Sequence, residues 1–137
     1  MNTNKLLVGT VVGFVGFFLG GFVLYTIVFK DLLASTNPGF AAAQKAPDMF
    51  ALVIGNFAAA FLLAYVFEKW AGIRTLQTGA IAGAIIGLLT SLNYDSMMHG
   101  TSNLFTWTGV GIDTLVSALL WAIGGAVIGW FLGYKRN

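Results

Sequence analysis

The sequence predicts an all-α fold, a four-helix transmembrane bundle, and three observations carry that expectation. Charged residues make up 9% of the chain, against about a quarter in soluble domains. Hydrophobic residues make up 58%, far too many for a disordered chain. Four stretches with at most a single charge each reach the roughly 20 residues that a helix needs to cross the hydrocarbon core of a bilayer. In 137 residues four crossings leave little length for anything else, so residues 1–137 read as a single membrane domain.

The first span covers residues 6–29, uncharged from Leu6 to Phe29 and bounded by Lys5 and by Lys30-Asp31. A cleaved signal peptide is the competing assignment, but the run exceeds the ~7–15-residue apolar core of such peptides, and the small residues Ala41-Ala42-Ala43 lie too far beyond it. The second span, 49–67, is entered through Pro47 and Asp48 and closed by Glu68-Lys69-Trp70. Proline loses no needed donor in a first turn, and aspartate complements the helix dipole there. The third, 75–94, is less hydropathic because glycine and alanine replace bulky side chains, yet it is uncharged throughout. The fourth, 105–133, follows Ser102 or Asn103 as candidate N-cap and contains Asp113. Lys30 to Asp48 is a long connection with a turn signal at Asn37-Pro38-Gly39, whereas Glu68 to Arg74 and Asp95 to Asn103 are short.

Lys5, Lys69, Arg74, Lys135 and Arg136 fall on one side of these spans and only Lys30 and Lys45 on the other. Cytoplasmic loops carry the excess of Lys and Arg, so five against two places the N-terminus and the C-terminus in the cytoplasm. Aromatic side chains fit the same frame: Tyr65, Trp70, Trp130 and Tyr134 fall at the inner ends, and Tyr25, Tyr94 and Trp107 at the outer ends. The expected location is the bacterial cytoplasmic (inner) membrane, multi-pass, with the lipid bilayer as surroundings. Basic residues that border apolar runs form no nucleic-acid surface.

Little hydrophobic force acts between helices in lipid, so association depends on close backbone approach. Gly79, Gly83 and Gly87 make a double G-x-x-x-G on the third span, and Gly125, Gly129 and Gly133 do so on the fourth. Gly9, Gly13, Gly16 and Gly20 form a stripe on the first, and Gly55, Ala59, Ala60 and Ala64 a small-residue face on the second. Three such stripes and an alanine face exceed what one bundle is expected to use, which points to a homodimer or a partner membrane subunit.

Asp113 is the one ionisable residue inside an expected span, and an intramembrane carboxyl is costly enough to mark a functional position. At ~1.5 Å per residue it lies about 9 Å below the outer boundary, and Asn56 on the second span lies about 10 Å below it. Asn56, or Ser117 on the fourth span itself, is therefore the expected hydrogen-bond partner. Asn93, Asp95 and His99 collect above them, with Tyr25 arriving from the first span. Asp95 and His99 stand four apart, so a helical continuation of the third span would pair them. Asp113, Asn56, Asn93, Asp95 and His99 are the candidate ligand- or proton-binding residues. Met49, Met97, Met98 and His99 would suit copper(I) by donor type, but their spacing matches no metal motif. No cofactor is expected. The chain has no cysteine, no Walker-type loop, no H-E-x-x-H, no G-x-S-x-G and no dinucleotide fingerprint, which leaves an intramembrane enzyme as the third choice.

Gly21-Phe22-Val23-Leu24-Tyr25, Gly55-Asn56, the Gly79/Gly83/Gly87 ladder, and His99-Gly100-Thr101 leading to Gly109 through Asp113 occur in an order that resembles a group of uncharacterised four-span bacterial membrane proteins carrying a domain of unknown function. The resemblance spans nearly the whole chain and implies topology, with no activity attached. Small multidrug exporters and dual-topology fluoride channels have similar length, but the first span here has no acidic residue and the charge bias favours one orientation. Two functions are expected: a binding or transport module with an outward-facing polar pocket for a small polar ligand or proton, or a structural accessory subunit without a ligand.

Overall fold

A computed structural model describes residues 3–134, so Lys135 and Arg136 of the charge count lie outside the described residues. Helix α1 is Thr3–Gly21 and runs on through π-helical turns at Phe22–Val28. Two short helices follow, α2 at Lys30–Thr36 and α3 at Pro38–Ala43. Helix α4 is Met49–Tyr65, extended by π-helical turns at Val66–Ala71; α5 is Leu76–Thr101 and α6 is Trp107–Tyr134. Four of these helices are long and apolar enough to cross a membrane: Thr3–Val28, Met49–Ala71, Leu76–Thr101 and Trp107–Tyr134.

Local chemistry sets the boundaries. Asp48 opens α4 as an N-cap, its carboxylate accepting from the backbone N–H groups of Phe50 at 3.1 Å and Ala51 at 3.3 Å. Thr75 does the same for α5 through Thr78 N–H at 3.1 Å. The start of α6 is capped neither by Ser102 nor by Asn103: the hydroxyl of Thr106 accepts from Gly109 N–H at 2.9 Å. The third span continues past Tyr94 to Thr101, where the hydroxyls of Thr101 and Ser102 donate to the carbonyls of Met97 and Met98 at 2.8 Å and close the last turn. At the tight passage into α5, Gly72 takes the left-handed conformation, φ 63°, that glycine adopts without strain. Arg74 pins that passage by pairing with Glu68 at 2.9 Å and donating to the carbonyls of Phe67 and Ile73.

Helix α6 is central, with α5 along one side, α1 along another, and α4 packed mainly on α1. Both neighbours run antiparallel to it: Gly9 meets Phe131 and Leu132 while Gly20 meets Leu120, and Gly79 meets Gly125 and Gly129 while Gly87 meets Trp121. A β-carbon added at Gly79 would strike the carbonyl oxygen of Gly125, one at Gly83 that of Trp121, and one at Gly129 that of Thr75. The glycine ladders of α5 and α6 thus face each other backbone to backbone. The α1 stripe faces the other side of α6, where Gly13 sits under Ile128 and Phe17 sits over Gly124. These three stripes are occupied within the chain, while Gly55 on α4 borders open space. Phe17, Leu63, Phe67, Ile128 and Leu132 are fully buried where α1, α4 and α6 converge, and leucine, valine, isoleucine and phenylalanine cover the outside.

Candidate functional site

At the end of the bundle remote from Thr3 and Tyr134, α1, α5 and α6 enclose a cavity of about 560 Å³. Its polar wall uses one helical spacing twice. Ser91 and Asp95 lie four apart on α5, and Asp113 and Ser117 four apart on α6, so each pair projects from one helical face. The Ser91 hydroxyl lies 3.1 Å from Asp95 Oδ2 and 3.4 Å from Asp113 Oδ2, one O–H between two carboxyl groups on different helices. That hydroxyl bridges the two carboxyls, which share the cavity wall. The Ser117 hydroxyl shares a 2.8 Å hydrogen bond with the Tyr25 hydroxyl, and Tyr25 also faces Asp113. Tyr25 stands on the π-helical part of α1, where Phe29 N–H donates to Leu24 O five residues back and the turn widens.

Helices α2 and α3 form a cap over this wall. Asn37, between them, is only 3% exposed, and its Oδ1 accepts from Thr106 N–H at 3.0 Å. The Thr106 hydroxyl donates to Thr36 O at 2.6 Å, and Phe40 N–H donates to Leu104 O at 3.1 Å. The rings of Phe40 and Phe105 meet at 5.4 Å and line the cavity from the cap side. Gly109 gives Asn37 its room, since a β-carbon there would collide with the Asn37 amide.

Of the five residues expected from the sequence, the structure brings Asp95 and Asp113 together on the cavity wall. Asn56 is a correction: its amide donates to Leu52 O of its own helix at 2.8 Å, because α4 is held against α1 and does not pack along α5. Asn93 is exposed and stands off the cavity. His99 is committed elsewhere, with Nδ1–H donating to Phe105 O at 2.8 Å and the ring 4.3 Å from that of Trp107. The expected Asp95–His99 pair is therefore replaced by Asp95–Ser91, one turn back instead of one turn on. Among the described residues no three His, Cys, Asp or Glu side chains converge as a metal site.

No family model, curated protein or solved structure matches this chain. Function therefore rests on the site itself.

Sequence reasoning missed Ser91 and Asn37. The signal for Ser91 was the i, i+4 relation to Asp95, mirrored by Asp113 and Ser117. For Asn37 the local pattern Asn-Pro-Gly announces a turn, and nothing in it announces burial against a segment 69 residues away.

Proposed function

We propose that this chain is a binding or transport module of a bacterial cytoplasmic membrane, with both termini inside and the capped cavity at the outer end taking up a small polar or charged ligand at Asp95 and Asp113. The four-span topology, of the kind the sequence resembles, and the charge bias of its ends support the orientation. Glycine-mediated contact of α5 with α6 supports the site by holding the two carboxyl-bearing helices at a fixed distance.

The single observation that carries this reading is that two carboxyls from different helices stand on the wall of a cavity of about 560 Å³. Ligand sites occupy ~300–1,000 Å³. A helix-to-helix tie of the accessory-subunit kind needs contact alone and leaves no such space beside it. Intramembrane carboxyls otherwise carry a desolvation cost that a purely structural role would not repay.

Labelling tests it. The chain has no cysteine, so Ser91→Cys creates a single thiol on the wall. A small water-soluble methanethiosulfonate should modify it in folded protein in lipid nanodiscs, at a rate at least tenfold above that of a lipid-facing control, Ile85→Cys. Equal, slow reaction at both positions would mean a dry tie and end the binding reading.

A further inference from the structure

We infer that the ligand of this cavity is a small organic cation, an amine or quaternary ammonium with an apolar body; the inference rests on the binding reading above and assigns its ligand class. Three features of the wall converge on it.

The first is charge. An ionised carboxylate only accepts hydrogen bonds, so two carboxyls that share the single Ser91 hydroxyl call for a further proton or a cation. Asp95 is buried apart from the cavity that it lines. Lys30 is the one basic side chain on the wall; it is exposed, and among the described residues no salt bridge joins it to either carboxyl. An anionic ligand would meet both carboxyls.

The second is the aromatic content. Tyr25, Tyr94, Phe40, Phe105 and Trp121 line the cavity from five different segments. Aromatic faces attract desolvated organic cations, which lack the strong hydration shell of a metal ion. Leu33, Ala34 and Ala41 add surface suited to an apolar body, beside the polar Asn37, Gln44 and Thr90.

The third is size. A dehydrated metal ion takes six or more oxygen ligands in a tight shell, whereas here two carboxyls bridged by one serine hydroxyl border a cavity of about 560 Å³, far more space than such a shell fills. A neutral polyol would need donors around its whole perimeter. A cation with one charged end and one apolar end matches a wall that joins a carboxyl pair to five aromatic rings.

The test uses the full chain in nanodiscs and isothermal titration with three probes of similar shape: benzyltrimethylammonium, benzyl alcohol and benzoate. Benzyltrimethylammonium should bind at least tenfold more tightly than either of the others. Asp113→Asn should weaken it tenfold or more while leaving the protein monodisperse. Phe40→Leu, on the cap and outside the carboxyl pair, should weaken the cation several-fold and leave the alcohol unchanged, which keeps the inference testable if the carboxyl variants fail to fold. Binding of benzyl alcohol or benzoate as tight as that of the cation, with Ser91→Cys reactive, would overturn the cation class and leave the cavity reading standing. So would no binding of any probe with that thiol reactive. An unreactive thiol would overturn both.

Discussion

Asn37 Oδ1 accepts a hydrogen bond from the backbone N–H of Thr106 at 3.0 Å, joining the turn between α2 and α3 to the threshold of α6 across 69 residues of chain. The first N–H groups of a helix have no partner inside it. Here Thr106 Oγ1 serves one of them and at the same time donates to Thr36 O, so the cap and the start of α6 share one hydrogen-bond network. Asp113 follows two turns into α6, and its position on the cavity wall is set by the same network.

Loosening that network should be measurable. Asn37→Ala leaves the Thr106 N–H without its acceptor in a part-buried setting, a loss of about 1 kcal/mol. Asn37→Asp keeps an acceptor and should cost less. Gly109→Ala should resemble Asn37→Ala, because the added methyl displaces the Asn37 amide. Thermal denaturation in detergent distinguishes them, and unchanged stability in all three variants would show that the cap is not latched at Asn37.

The glycine ladders give a second comparison. A β-carbon at Gly83 meets the backbone carbonyl of Trp121, which has nowhere to move, while one at Gly9 finds side-chain carbons of Leu132 at 3.5 Å, an ordinary contact. Gly83→Leu should therefore separate α5 from α6 and cost more than the ~1–3 kcal/mol typical of overpacking, with Gly9→Leu well below it. Comparable melting temperatures for the two variants would mean that α5 does not bear on α6 through this face.

What the sequence disclosed and what it withheld divide along a physical line. In lipid every charge inside a span is costly, so uncharged runs such as Leu6–Phe29 mark the helices and Asp113 stands out as an exception that the fold must accommodate. Glycine spacing likewise shows which face of α5 and α6 admits close approach. Helical periodicity says nothing about which helix will occupy that face. Asn56 has the right depth and the right small-residue surroundings, yet α4 lies on α1 and the amide turns back to Leu52. His99 is correctly spaced from Asp95, but the carbonyl of Phe105 and the ring of Trp107 arrive from the following turn and engage it. The connection from Lys30 to Asp48 reads as a loop because Asn37-Pro38-Gly39 interrupts it, and Pro38 instead opens a second short helix.

Topology has its own measurement. Cysteine at Ala42 in α3 or at Ser102 beyond α5 stands at the cavity end of the bundle, whereas cysteine at Gly72 stands at the opposite end, beside Arg74. With five Lys and Arg expected from the sequence on the Gly72 side against two on the other, an impermeant thiol reagent applied to intact cells should label the first two positions and spare the third. Labelling of all three from outside would indicate molecules inserted in both orientations.

Asp113 offers the sharpest separation of a site from a tie, because its neighbours are already supplied with partners. If Asp113 is replaced by leucine, the Ser91 hydroxyl still donates to Asp95 at 3.1 Å and Tyr25 still bonds Ser117 at 2.8 Å, so no polar group is stranded. Removing a carboxyl from the membrane interior also removes its desolvation cost. Asp113→Leu should therefore stay within about 1 kcal/mol of the parent in stability, the scale of one net hydrogen bond. Asp113→Asn, which keeps shape and hydrogen-bonding capacity, should be closer still. Both should weaken ligand binding tenfold or more, since the cavity then holds a single carboxyl in place of a pair. A melting temperature that falls steeply in Asp113→Leu while Asp113→Asn binds as the parent does would assign the residue to helix packing and remove it from the site.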